Sequence, residues 1–234
     1  MKDKLFFLLV GASLAIVAIS VSNRTSAPQP TIVEAKLPPK RTNIATTYFQ
    51  AGMPAGPDDQ GVSNQSSAWY YDWAQHMCGI DVDGTRQIDK PGCDNLFYAA
   101  LPCLDTNKEM NIQLKNVANA PKSWDFLPGQ VSKFKNRWIR VEHDGKTVYV
   151  QWEDVGPLYT NDCNYVFGTA RPRQESTHAV ASALDLSPAA FKQLTDGDLT
   201  VGIIQTNWQF VSDRDVPYGP WRMNVTASQP DWRH

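Results

Sequence analysis

The chain has 234 residues, 42% hydrophobic and 20% charged, an ordinary globular composition with enough apolar material for a sizeable core, which excludes a wholly disordered chain. With 22 basic and 24 acidic residues mixed along the sequence, and a formal net charge of -2, there is no basic field to hold a phosphate backbone. Nucleic acid is therefore excluded as an expected partner.

Lys2 and Lys4 precede an apolar stretch from Leu5 to Val21 that breaks into Ser22-Asn23-Arg24-Thr25-Ser26, so residues 1–22 read as an export segment. The run is long for a cleaved signal peptide, short for a spanning helix, and has no obvious small-x-small site. Cleavage and retention as an amino-terminal membrane anchor both stay open. Residues 23–44 hold Pro28, Pro30, Pro38 and Pro39 among Ser, Thr, Lys and Ala without a sustained apolar period, and read as an extended tether. One folded domain is expected over residues 45–228, with a short tail at 229–234. The expected location is the periplasm or cell envelope, or the medium. Cys78, Cys93, Cys103 and Cys163 all lie in the exported part, show no C-x-x-C spacing, and are expected to form disulfides, with all three pairings open.

Within the domain the apolar runs are short, rich in Val, Ile, Tyr and Trp, and punctuated by Gly, Pro, Asp and Asn, which predicts strands and turns. Segments 44–49, 96–101, 137–142 and 147–152 are predicted strands. The last two are joined across His143-Asp144-Gly145-Lys146, where Asp-Gly favours a tight hairpin. In the returning strand Val148, Val150 and Trp152 fall on one face and Tyr149, Gln151 and Glu153 on the other. Segments 199–205 and 221–225 are predicted closing strands. A helix is predicted over 187–194, with Ser187 as N-cap and Pro188 at the first helical position. Residues 67–75 are a second helix candidate.

Two motifs stand out, Val150-Gln151-Trp152-Glu153-Asp154-Val155-Gly156-Pro157 and Ala183-Leu184-Asp185-Leu186-Ser187-Pro188-Ala189-Ala190-Phe191. Gly156-Pro157 forces a turn directly after a strand, which holds Asp154 at a strand end instead of in the core. Asp185 precedes the Ser187 cap, where a helix N-terminus favours an anion. The structural alternative is that Asp154 orders its loop and Asp185 accepts backbone hydrogen bonds at a strand-helix junction.

In order and separation, these motifs resemble the signature of rare lipoprotein A-like domains, in which one strand ends in Asp-Arg-Gly-Pro and a later one in Asp-Leu-Ser before a short Ala-rich helix. Val155 stands where that family has Arg. Leu101-Pro102, Ala45-Thr46-Thr47-Tyr48-Phe49, Ser67-Ala68-Trp69 and Tyr165-Val166-Phe167-Gly168 fit the same resemblance, which covers residues 45–226. It implies a mainly β fold, a six-stranded double-psi β-barrel with short helices and long loop insertions. Similarity to expansins and barwin-like endoglucanases implies that Asp154 and Asp185 line one groove, that Asp185 matches the acid of those endoglucanases, and that Tyr48 matches a groove tyrosine. Their base follows a Thr-x-Tyr-Trp segment, and the matching stretch here ends in Gln50, whose carboxamide takes up no proton at neutral pH. That argues against hydrolysis by two carboxyl groups. A lytic transglycosylase needs only one acid, because the substrate's own hydroxyl attacks. Rare lipoprotein A proteins of that kind match at Asp154 but carry a His where this chain has Tyr98-Ala99-Ala100.

Asp185 and Asp154 are thus the catalytic candidates. Tyr48, Trp69, Trp73 and Trp152 are the candidates for stacking on sugar rings, with core filling as the alternative. His76, His143, His178 and His234 match no family position. The acidic stretches 81–84 and 105–109 lack EF-hand spacing and read as turns, so no metal and no cofactor is expected. The implied partner is a polysaccharide, peptidoglycan or another cell-wall glycan. The protein is either a glycan-cleaving enzyme of lytic transglycosylase type or a non-catalytic carbohydrate-binding, wall-loosening module of expansin type.

Overall fold

The computed structural model describes residues 37–51, 67–69, 95–107, 112–113, 117, 119–124, 132–157, 159–173 and 182–226. The export segment, most of the tether, most of the 67–75 helix candidate, Trp73, Cys78, Cys93 and the C-terminal tail lie outside them.

Eight strands are present among the described residues: β1 (Arg41–Tyr48), β2 (Tyr98–Ala100), β3 (Thr106–Asn107), β4 (Ile112–Gln113), β5 (Arg137–His143), β6 (Lys146–Asp154), β7 (Leu184–Leu186) and β8 (Ile204–Val211). Six of them close into a barrel in the order β1-β7-β2-β6-β5-β8, and β3 and β4 pair separately. β1 with β7 and β2 with β6 run parallel; the other barrel pairs are antiparallel. This is the closed six-stranded barrel of mixed pairing expected for a double-psi fold. Closure leaves no exposed sheet edge in its wall.

The β5–β6 hairpin forms as its sequence requires. Asp144 and Gly145 take φ of 44° and 79°, the left-handed pair that an Asp-Gly turn supplies, and His143 pairs with Lys146 across it. Helix α1 (Cys163–Phe167) was not predicted: it is a single apolar turn with Cys163, Tyr165, Val166 and Phe167 all buried, too short to show a helical period. Helix α2 (Pro188–Leu194) starts as predicted, with the Ser187 hydroxyl accepting from the Ala190 N–H at 3.2 Å.

The closing strands need correction. The chain is still turning at 199–202, where Gly202 has φ of 69° and its N–H bonds Leu199 O at 3.1 Å, so the strand begins at Ile204. From there Ile204, Thr206, Trp208 and Phe210 point inward. Residues 221–225 form no strand: Pro220–Arg222 is a 3-10 turn, and the Trp221 indole N–H bonds back to Pro217 O at 2.9 Å. At the other end, β1 begins at Arg41, inside the stretch read as tether.

Core filling falls largely to aromatic rings. Phe134 stacks on Trp152 at 5.0 Å between centroids and 9° between planes, while Trp69 meets Trp152 edge-on at 5.4 Å. Trp124, Phe167, Phe210 and Trp208 extend the cluster. A disulfide joins Cys103, just past β2, to Cys163 at the start of α1. Such bonds persist in oxidising compartments, in keeping with export.

Candidate functional site

One row of paired residues runs across four neighbouring strands. Thr47 of β1 is in register with Asp185 of β7, Asp185 with Ala100 of β2, and Ala100 with Asp154 of β6. Paired residues share a face, so these four side chains leave the barrel wall on the same side. Their neighbours Leu184, Leu186 and Ala99 point the other way, into the core. Each carboxylate is one strand from Ala100, which separates the two Cα atoms by about 9.5 Å at ordinary strand spacing.

Asp154 reaches this row through an irregularity. Ala99 pairs with Trp152 but Ala100 pairs with Asp154, so Glu153 is the extra residue of a β-bulge. Without it, Glu153 would stand opposite Ala100. The extra residue is held by a fully buried ion pair, Glu153 Oε2 to Lys135 Nζ at 3.0 Å, with Asn136 Oδ1 also accepting from Lys135 at 2.9 Å. Asp154 Oδ1 accepts two backbone N–H bonds, from Ala68 at 2.8 Å and from Val155 at 2.7 Å. The strand ends directly beyond it, at Gly156-Pro157.

Asp185 is fixed differently. Its Oδ1 accepts from the Thr47 hydroxyl and, at 3.4 Å, from the Ser182 hydroxyl, while Thr47 Oγ1 and Ser182 Oγ lie 2.7 Å apart. The helix N-terminus belongs to Ser187, so the expected anion at the α2 terminus is corrected to a carboxyl held by two hydroxyls. Burial pushes the Asp185 carboxyl up to about 6, against the opposing pull of Thr47 and Ser182. It is nonetheless partly exposed at the surface. Thr47 and Ser182 were not singled out from the sequence; the Thr-Thr-Tyr segment carried a hint of the first only.

Of the aromatic candidates, Tyr48 is partly exposed and packs on Phe191 of α2 at 5.0 Å, on the strand face opposite Thr47. Trp69 and Trp152 are 0% exposed, so their sugar-stacking roles are corrected to core packing. Tyr98, also buried, accepts from the Ala51 N–H at 3.0 Å. Burial first, then the charge of Asp154, holds its phenol above the usual range.

No family model and no curated protein matches the chain. Among solved structures it is similar to a papain inhibitor from Streptomyces, at 16% identity over 76% of this chain and 100% of the inhibitor, with a TM-score of 0.32. An expansin of Clavibacter michiganensis, solved with cellohexaose, is 16% identical over 76% of this chain and 52% of its own, with a TM-score of 0.30. Cerato-platanin 3 from M. perniciosa is 12% identical over 72% of this chain and 93% of its own, also at 0.30. Likenesses this distant assign no activity, and the barrel rests on its own strand order.

Proposed function

We propose that the protein is exported to the cell envelope and acts there on polysaccharide, most simply peptidoglycan, through the face that carries Asp185 and Asp154. The observation that carries this reading is the strand-register row that sets Asp185, a partly exposed carboxyl held by Thr47 and Ser182, on the same face as Asp154; burial pushes Asp185 up to about 6. At pH 7 such a group still holds its proton in about a tenth of molecules, against about a thousandth for an ordinary aspartate. A proton donor needs that reserve.

In lytic cleavage, Asp185 delivers its proton to the glycosidic oxygen as the bond from that oxygen to the sugar carbon breaks. A hydroxyl of the same sugar closes on that carbon and returns its proton to Asp185, leaving an anhydro ring and consuming no water. Asp154 supplies negative charge beside the developing positive sugar ring. Trp73 remains a proposed sugar contact, whereas Tyr48, on the strand face opposite Thr47, contacts a sugar only where its exposed edge reaches the end of β1. Residues 1–22 direct export, with attachment to the membrane if they are retained, and the Cys103–Cys163 bond suits that compartment.

A second reading, a non-catalytic glycan-binding or wall-loosening module, is favoured by the two backbone N–H groups on Asp154 Oδ1, which suit a carboxylate that orders its loop. Incubation of the protein with peptidoglycan sacculi, with soluble products read by mass spectrometry, separates them. Anhydro-sugar products that vanish in Asp185→Asn support the enzyme. Co-sedimentation without products supports the module, and neither outcome removes both.

A further inference from the structure

The outer wall of β6, β5 and β8 carries a second ordered set of side chains, on strands other than those that hold Asp185. Tyr149, Arg140 and Gln209 stand in register across these three strands, and Thr147, Glu142 and Asn207 form the next row. All six are partly exposed. The alternate residues Ile139, Val141, Val148, Val150, Trp208 and Phe210 fill the core, so the alternation fixes these rows on the outside. A cleft of about 500 Å³ opens over the second row, lined by Asn43, Arg140, Glu142, Thr147, Gln205 and Asn207 among others.

Charge on this surface is matched. Glu142 is bonded by both Lys40 and Arg140, Lys146 pairs with Asp196 at 2.7 Å, and His143 lies 3.5 Å from Asp144. A surface compensated in this way offers no net attraction to a phosphate, an acidic peptide or a basic one. It offers instead planar hydrogen-bonding groups, a guanidinium, a carboxylate and the four carboxamides of Asn43, Gln205, Asn207 and Gln209, with donors and acceptors side by side. The Asn207 carboxamide is oriented, because its oxygen accepts from the Asn43 N–H at 3.0 Å. The Arg140 guanidinium reaches this surface through its terminal nitrogens, of which Nη2 also bonds Glu142. Next to the first row, Tyr149 meets the partly exposed Trp221 at 5.1 Å, and Tyr218, in the same turn as Trp221, is 100% exposed. Flat apolar rings beside charge-balanced, bidentate polar groups are what a sugar ring with apolar faces and vicinal hydroxyls requires.

We propose that the β6-β5-β8 wall is a second glycan-binding site, taking an uncharged stretch of two to four sugars through Arg140, Glu142, Asn207 and Gln209, with Tyr149 and Trp221 as its aromatic edge. It is separate from the carboxylate row and does not depend on it. Such a site would hold the chain on a polymer while the other face engages a neighbouring segment, so that two weak contacts act as one stronger one.

The test is amide NMR of the protein titrated with chitotetraose and, separately, cellotetraose. Shifts are expected at Arg140, Glu142, Asn207 and Gln209 with at least one of the two. They are expected to fall at least fivefold in an Asn207→Ala, Gln209→Ala variant and to persist in Asp185→Asn. Both substituted residues are partly exposed, and an otherwise unchanged spectrum checks that the barrel is intact. Shifts confined to Thr47, Ala100, Asp154 and Asp185 would overturn this proposal and leave the first site standing. Shifts confined to the β5–β8 wall support this site and leave the carboxylate row to the sacculus assay, and no shifts with either sugar overturns the proposal.

Discussion

The two halves of β6 behave as different materials. From Lys146 to Val150 the strand alternates as period two requires, with Val148 and Val150 buried and the residues between them partly exposed. From Gln151 to Glu153 every side chain is buried, polar and apolar alike. Gln151 is held by Asn95 at 2.7 Å and by Thr226, and Glu153 by Lys135. The first half is a regular wall whose polar groups are solvated. The second half sets the register of Asp154, and it does so with desolvated polar contacts that must all be made together. A buried ion pair seldom adds stability over an apolar pair, but its removal by halves is costly.

Lys135→Met takes the counter-ion from a fully buried carboxylate, and the expected loss is about 3–5 kcal/mol in urea unfolding. A Lys135→Met, Glu153→Leu pair should recover most of that stability. If Asp154 depends on the bulge, the pair should still lose activity on sacculi. Full activity in that double variant would separate the ion pair from the aim of Asp154. Opening the Cys103–Cys163 bond with paired serines frees a loop spanning 60 residues, an expected cost of about 4 kcal/mol by chain entropy, read as a fall in the denaturation midpoint.

The pH dependence is somewhat smaller. Asp185 has a folded pKa raised to about 6 from 3.8, so the folded state binds the proton more tightly than the unfolded chain. Its contribution is full below about 4, declines as pH rises, and is gone above about 6, at most about 3 kcal/mol. Asp185→Asn should therefore gain on the parent by up to that amount between pH 4 and pH 7 in matched urea titrations. A constant difference would sink the raised value. Asp105, fully buried beneath Ser132 and also raised to about 6 by burial, adds a fall of the same sign in the parent and the variant alike, so it cancels in the comparison. The least effect belongs to the regular half of β6 and its partner β5. Arg140→Gln touches a partly exposed surface pair and should cost under about 1 kcal/mol.

Strands set by local pattern were legible in the sequence. Alternating valines, the Asp-Gly turn and the Ser187-Pro188 cap each state their geometry within a few residues, and each is found where expected. What escaped was what depends on distant partners. Nothing near Glu153 says that Lys135 neutralises it, so period two placed it on the face opposite Val148, Val150 and Trp152 without showing that it is buried. Trp69 and Trp152 are chemically fit for a sugar face or for a core, and only the surrounding Phe134 and Phe167 decide for the core. The rows at Asp185 and Arg140 are products of strand register, which no local pattern reveals.

Ala100 stands between the two carboxylates, in register with both. A methyl group carries no proton and bridges none. The upward shift of Asp185 accordingly arises from burial, opposed by Thr47 and Ser182, with no second carboxylate among its causes. The two acids are thus not a dyad, and whatever proton moves on this face has one owner. The loss of rate as pH rises through about 6 should then follow the ionisation of Asp185 alone, with a midpoint moved by substitutions at Thr47 or Ser182 and not by the charge at position 154, whatever that charge does to the rate itself.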